Sequence, residues 1–479
     1  MPLVEQLFKY EQERKARFHV PGHKGKDLLT RDKMDTLTSV YGIDVTEIEG
    51  MDDFHHPEGV IREAQELAAK TFFSDRTFFL VNGSTVGNLA MILAFLKPND
   101  QVFVQRNSHK SIFNGLIMAK AKAIFLEPEI CTQFSVPMGV SFTIFKEAVR
   151  KYPSAKAIIL TNPNYYGMAT DLKEIIEFAH QQGILVLIDE AHGAHFGQAK
   201  NLPPSAMQLG ADAVVQSTHK MLPSMTMSSM LHVQGDRFPM DDLQFYLQML
   251  QSSSPSYPLM ASLDYARYFV DTLTEEDWEK SWQEYASLRL MIKELGYQVS
   301  GTSEYEINDI KVKMDPFKLT IKAPEGITGY AFLEELGKKG VVCEMADPLN
   351  VLLTLPLIPM NEWNHTLVSV LKELSPVSKT KDCPPDIDST FLQQPRKQKI
   401  SEPFQLKKYT EQEKVEINLE QAIGRRGTEM LIPYPPGIPL MLPGEIVTEE
   451  LVTEIYELQE KGAYFQGKNK GFKSLKVEV

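Results

Sequence analysis

Cysteine is scarce in this chain of 479 residues: Cys131, Cys343 and Cys383 stand far apart, without the spacing of a metal site. That excludes a disulfide framework and a structural zinc, and makes a reducing compartment, the cytoplasm, the expected location. Long apolar runs are missing too. No uncharged stretch reaches the roughly 20 residues that span a bilayer, and Met1 to Lys15 has no apolar secretion segment. Positive charge is in deficit, with 50 Lys and Arg against 63 Asp and Glu and a formal net charge of -13. With no Lys/Arg block to offset this, a nucleic-acid surface is excluded and a small-molecule partner is expected. No internal repeat is present. What is abundant is apolar side chain, 43% of the residues, enough for two or three domains of roughly 100–200 residues each.

From about residue 60 to 260, helical patterns alternate with short apolar runs, the pattern of a mainly parallel sheet covered by helices on both faces. Seven strands are predicted: Thr77–Val81, Gln101–Val104, Ala123–Leu126, Ala157–Leu160, Ile184–Ile188, Ala213–Gln216 and Ser229–Val233. Helices are predicted at about Pro57–Phe73, as a packing helix, and Val86–Leu96. Strand-like runs at Lys318–Ile321 and Val351–Thr354 indicate a smaller α/β domain. The expected division is an N-terminal arm at 1–45, a large domain at 46–262, a small α/β domain at 263–375, a linker or extended loop at 376–410 and a C-terminal segment at 411–479.

Lys220 closes the run Ser217-Thr218-His219-Lys220, 31 residues after Asp189, which ends an apolar strand. Pyridoxal phosphate (PLP) needs this pair: a lysine amine to hold its aldehyde as a Schiff base, and a buried carboxylate to keep the pyridine nitrogen protonated. Strands of an open α/β sheet present ligands at their carboxyl ends, where both residues would emerge. Taken singly, Lys220 reads as a surface lysine and Asp189 as a loop acid. A third element joins them. Asn82-Gly83-Ser84-Thr85-Val86-Gly87-Asn88 follows a strand and opens a helix, whose unpaired N–H groups and dipole suit a phosphate; alone, it would be an ordinary capped helix. His109, at another strand's carboxyl end, could lie flat on the pyridine ring, or be a loop histidine bonded to backbone. His192 and His195 invite a metal reading, but no third ligand follows at a recognisable spacing; no metal is expected, and His192 is placed with the cofactor.

Together these residues resemble the fold-type-I, PLP-dependent ornithine/lysine/arginine decarboxylases, in their short bacterial form and closest to arginine decarboxylase. The resemblance spans nearly the whole chain: Phe18-His19-Val20-Pro21-Gly22-His23-Lys24, Asp52-Asp53-Phe54-His55-His56-Pro57-Glu58-Gly59, the Gly-Ser-Thr cup, Ser108-His109-Lys110-Ser111, Asp189-Glu190-Ala191-His192-Gly193, Ser217-Thr218-His219-Lys220 and Tyr434-Pro435-Pro436-Gly437. It implies that Lys220 is the Schiff-base lysine, Asp189 the partner of the ring nitrogen and His109 the stacking residue. Ser84, Thr85, Ser217 and His219 would hold the phosphate. Ser252-Ser253-Ser254-Pro255 resembles a segment that reaches the neighbouring subunit's phosphate, implying a homodimer or higher homo-oligomer with shared sites, although the family usually has threonines there. Glu445 would read the distal cation of a basic amino acid, or else cap a helix from about Val447 to Lys461. Larger members carry an N-terminal wing that supports decamers. This chain starts almost at its Pro-Gly-His-Lys motif, so decamers are not expected.

The implied reaction is decarboxylation of arginine to agmatine and CO2 in polyamine metabolism, with lysine or ornithine as alternative substrates. Another activity on the same scaffold, an aminotransferase, lyase or desulfurase, is the nearest rival; an aminotransferase would grip the α-carboxylate with an arginine, for which Arg425 and Arg426 are candidates. A non-catalytic PLP-binding sensor is the rival of another class, but it would need a DNA-binding module for which the chain has no spare segment.

Overall fold

The computed structural model describes residues 1–13, 17, 19–21, 23–25, 39–302, 304–307, 309–374, 399–434 and 437–479. Phe18 and Gly22 of the first family motif, Pro435 and Pro436 of the last, Cys383 and most of the 376–410 linker lie outside them. The chain divides into two compact units, each built from two stretches: residues 1–95 with 176–274, and residues 96–175 with 275–479.

In the first unit, four of the predicted strands form in the order Arg76–Leu80, Ser229–Val233, Ala213–Gln216, Leu185–Asp189. The last two are parallel, with Asp189 opposite Val215. All five residues of Leu185–Asp189 are buried, as a strand covered on both faces requires. Ser229–Val233 and Arg76–Leu80 add antiparallel, pairing Leu80 with Ser229. The helix predicted from Val86 begins at Gly83 and runs to Phe95. Gly87, inside it, allows close packing, because a Cβ there would stand 2.7 Å from Leu80 Cδ1 and 3.0 Å from Val215 Cγ1.

Helices Pro2–Gln12, Val60–Thr71 and Tyr257–Thr272 pack on one another in the same unit. Buried Asp264 accepts from the N–H groups of Leu3 (3.1 Å) and Val4 (3.4 Å), satisfying donors that a helix start leaves unpaired. Asp52 does the same for Val60–Thr71: its carboxylate accepts from Glu58, Gly59 and Ile61 N–H at 2.8–3.0 Å. The packing helix thus starts at Val60 rather than Pro57, behind a loop clamped by Asp52.

The second unit carries the other three predicted strands. Gln101–Gln105 lies between Lys122–Leu126 and Ala157–Thr161, parallel to both. A further two-residue strand, Phe404–Gln405, pairs antiparallel with Lys122–Leu126. Lys318–Lys322 and Asn350–Thr354 pair antiparallel as the small α/β part. The C-terminal segment joins Lys414–Asn418 to Ser474–Glu478 and buries Leu419, Leu431, Val452, Ile455, Leu475 and Val477 together. Among the described residues, no helix is long and apolar enough to cross a membrane.

Candidate active site

The carboxyl ends of Leu185–Asp189 and Ala213–Gln216 bring most of the expected residues together in the first unit. Asp189 is buried; its Oδ2 accepts from Asn88 Nδ2 at 3.0 Å and its Oδ1 from Ala191 N–H at 3.2 Å. Burial pushes its pKa up, against the opposing pulls of the Lys220 charge and these two donors. A carboxylate placed this way favours a further cation against it. Lys220 sits on the short helix Thr218–Met221, and its Nζ lies 3.1 Å from His192 Nε2. His192 and His195 occupy turns rather than a helix, and His195 packs edge-on against Phe196.

The glycine-serine cup stands beside them. Gly83 has φ +76° and open space where a Cβ would project, so the helix it starts leaves its N-terminus accessible. Ser217 Oγ donates to Ser84 Oγ at 2.7 Å, joining the end of one strand to this helix start. Thr85 is exposed in the helix's first turn. His219 Nδ1 donates to the Ser228 carbonyl at 2.9 Å, which fixes its tautomer. A reactive amine, a buried carboxylate and a helix N-terminus with hydroxyls are the donor set that fits a phosphorylated aldehyde with a basic ring nitrogen.

Ser252, Ser253 and Ser254 are exposed. Their loop is held at both ends by the Asp52–Pro57 motif: His55 Nε2 donates to the Ser252 carbonyl at 3.0 Å, and the Tyr257 hydroxyl donates to the Asp52 carbonyl at 2.8 Å.

His109 and Glu445 belong to the second unit. His109 caps the helix Lys110–Ala119; its Nδ1 accepts from Ser111 Oγ at 2.8 Å and Ser111 N–H at 3.3 Å, so Nε2 carries the proton. Gly437 lies beside the imidazole, where a Cβ would meet His109 Cδ2 at 3.6 Å. Glu445 does not cap the helix expected after it, and its carboxylate is paired within its own unit. Its Oε2 accepts from Arg106 Nη2 at 3.0 Å and from Leu442 N–H at 2.7 Å, which pairs it with a buried guanidinium. The helix after it, Glu449–Glu460, is capped by Thr448, whose Oγ1 accepts from Leu451 N–H. Arg106 also donates to the carbonyls of Pro439 (2.8 Å) and Leu440 (3.2 Å). Arg425 and Arg426 donate to the carbonyls of Glu478 and Gly444.

Residues 1–362 match the family model of the Orn/Lys/Arg decarboxylase major domain, and residues 387–473 that of the C-terminal domain. The chain belongs to the Orn/Lys/Arg decarboxylase family. It is 34% identical to the arginine decarboxylase of Bacillus subtilis strain 168 over 470 residues, 97% of this chain and 95% of that one. Over 473 residues, 98% of this chain and 96% of the relative, it is 41% identical to the uncharacterized protein YaaO of the same strain. Among solved structures, the lysine decarboxylase of Francisella novicida superposes with a TM-score of 0.83 at 21% identity, covering 100% of this chain and 81% of that one. The decarboxylase thus carries the expected fold-type-I class with a smaller C-terminal part, although two of the strands expected in a mainly parallel sheet, Arg76–Leu80 and Ser229–Val233, run antiparallel.

Two partners of the expected residues, Asn88 beside Asp189 and Arg106 beside Glu445, escaped the sequence reading. Asn88 stands one helical turn after Ser84, and that i, i+4 spacing was a usable signal that both face the same way. Arg106 directly follows an apolar strand, which hints at burial, but nothing in the sequence points to its partner 339 residues away.

Proposed function

We propose that this protein is a PLP-dependent carboxy-lyase acting on a basic amino acid, with arginine as the substrate and agmatine and CO2 as products. The observation that carries the reading is the convergence of Asp189, Lys220, Ser84 and Ser217 on two adjacent strand ends and one helix N-terminus. PLP, when bound, supplies an electron sink for the bond to the departing carboxylate. Asp189 holds a proton on the ring nitrogen. Lys220 would hold the cofactor through its amine, and the neighbouring His192 Nε2, 3.1 Å from that amine, would hold or return its proton. Ser84, Thr85, Ser217, His219 and the start of helix Gly83–Phe95 bind the phosphate, and His109, its Nδ1 engaged by Ser111, offers a ring fixed in orientation. The arginine assignment rests on relatives that carry that name across nearly the full chain.

The same reading makes the protein a cytoplasmic homodimer serving polyamine synthesis, in which Ser253 and Ser254 reach the partner's phosphate. Their exposure supports it, as do Phe245 and Met249, which are 55% and 59% exposed one turn apart on the helix leading into the serine loop. The test is borohydride reduction of the PLP-loaded protein followed by peptide mapping, with CO2 release measured on arginine, lysine and ornithine. A pyridoxyl group on a lysine other than Lys220, or no release from any of the three, would overturn the proposal.

A further inference from the structure

Glu190, next to Asp189, faces the other way. Asp189 bonds to Asn88 of helix Gly83–Phe95, and side chains alternate across a strand, so Glu190 points to the opposite side of the sheet. There it is fully buried and accepts three hydrogen bonds: from Ser205 Oγ at 2.9 Å, Ala206 N–H at 2.7 Å and Gln216 Nε2 at 2.6 Å. Its own N–H donates to the Val215 carbonyl at 2.9 Å. Gln216 immediately precedes Ser217 and lies four residues before Lys220. The carboxylate therefore ties together the two strand ends that deliver the buried acid and the reactive amine.

The tie continues across the sheet with a fixed direction. Because Gln216 Nε2 donates to Glu190, its Oε1 must accept, and it does so from His232 Nε2 at 3.0 Å. His232 Nδ1 is then an acceptor, served by the Thr77 hydroxyl at 2.8 Å, which in turn accepts from Ser74 Oγ at 3.0 Å. Burial, which lowers the His232 pKa to about 3, keeps the imidazole neutral as this pattern requires. Every donor in the line points toward Glu190, and such chains polarise one another in a low dielectric.

We propose that Glu190 is a positioning residue for the decarboxylase: the line Thr77, His232, Gln216 and Glu190 sets the spacing of Asp189 and Lys220 from the face of the sheet they do not occupy. This rests on the roles proposed above for Asp189 and Lys220.

The test is the pair Glu190→Gln and the exchange Glu190→Gln with Gln216→Glu. In the single variant two amides face each other and one donor loses its acceptor. The exchange restores a carboxylate against an amide between the same strands, with the carboxylate now at position 216 accepting from His232 and the amide oxygen at position 190 accepting from Ala206. PLP dissociation is measured by fluorescence, and ring orientation by circular dichroism of the bound-PLP band. The single variant is expected to weaken PLP binding about tenfold and to lose about half of the dichroism, and the exchange to recover both to within about twofold. A folded single variant with only a lower melting temperature, or an exchange as impaired as the single change, overturns the proposal. If Glu190→Gln does not fold, Ser205→Ala is measured instead, with a roughly twofold to threefold loss of affinity expected and no change counting against it. Mapping on the unmodified protein separates the two readings: an adduct away from Lys220 overturns both, whereas an adduct on Lys220 with unaltered variants overturns this one alone.

Discussion

Replacing Glu445 with Gln should cost stability rather than substrate affinity. The carboxylate accepts from Arg106 Nη2 with both oxygens, at 3.0 and 3.3 Å, while Oε2 also takes the Leu442 N–H at 2.7 Å. An amide keeps one acceptor and turns a donor toward one of these donors. Breaking a fully buried ion pair costs roughly 3–5 kcal/mol. Glu445 retains 21% of its side-chain exposure against 5% for Arg106, so water screens part of the loss. A cost of about 2 kcal/mol follows, in line with roughly 1.5–3 kcal/mol for a hydrogen bond to a charged group. Urea denaturation of the full chain reads this directly. A double-mutant cycle with Arg106→Met should return a coupling of about the same size, since the two side chains touch. The Michaelis constant for arginine should move less than twofold. A raised Michaelis constant with unchanged stability would refute the reasoning and return Glu445 to the substrate.

Asp189→Asn should leave a folded, PLP-binding protein whose turnover falls by about three orders of magnitude, as loss of a buried electrostatic partner costs several kcal/mol in the barrier; near-normal CO2 release would remove Asp189 from the chemistry. Asp52→Ala should lower stability by about 2 kcal/mol, because it strips the N–H groups of Glu58, Gly59, Ile61 and Arg62, around the start of helix Val60–Thr71, of their acceptor; calorimetry showing no change would deny the clamp. Gly87→Ala should destabilise by roughly 1–3 kcal/mol through the contacts with Leu80 and Val215, and an unaltered melting temperature would mean that the helix shifts freely. His232, with a folded pKa near 3 against 6.5 unfolded, withdraws stability as pH falls from 6.5 toward 3, because only the unfolded chain takes the proton. His232→Gln, which keeps a donor and an acceptor, should therefore remove about 2 kcal/mol of the difference in stability between pH 6.5 and 4.5, and an unchanged acid limb would rule that out.

The seven strands were legible because continuous runs such as Gly183 to Ile188 are too short and too apolar for anything but a buried strand. Phe404–Gln405 was not: two residues carry no period. Asp189 and Lys220 could be picked out by residue type at strand ends, since position along a parallel strand fixes which end a side chain occupies. Glu190 and His232 could not, because a polar residue at or beside a buried strand declares its partners only when distant strands align. Glu445 shows the same limit. The family resemblance offered it to the distal cation of a substrate, and its pairing with Arg106, far away in sequence, could not be read from the chain.

The interrupted course of the chain bears on its synthesis. Arg76–Leu80 leaves the ribosome long before its partner, for Leu80 pairs with Ser229, about 150 residues later. At bacterial rates of about 5–20 residues per second, that strand waits roughly 8–30 s with its edge unpaired. Neither unit can close before part of the other has been made, since each is interrupted by a stretch of its neighbour. A nascent chain of this design depends on holding factors more than one whose units follow one another, and no single cut point yields either unit as a free-standing fragment.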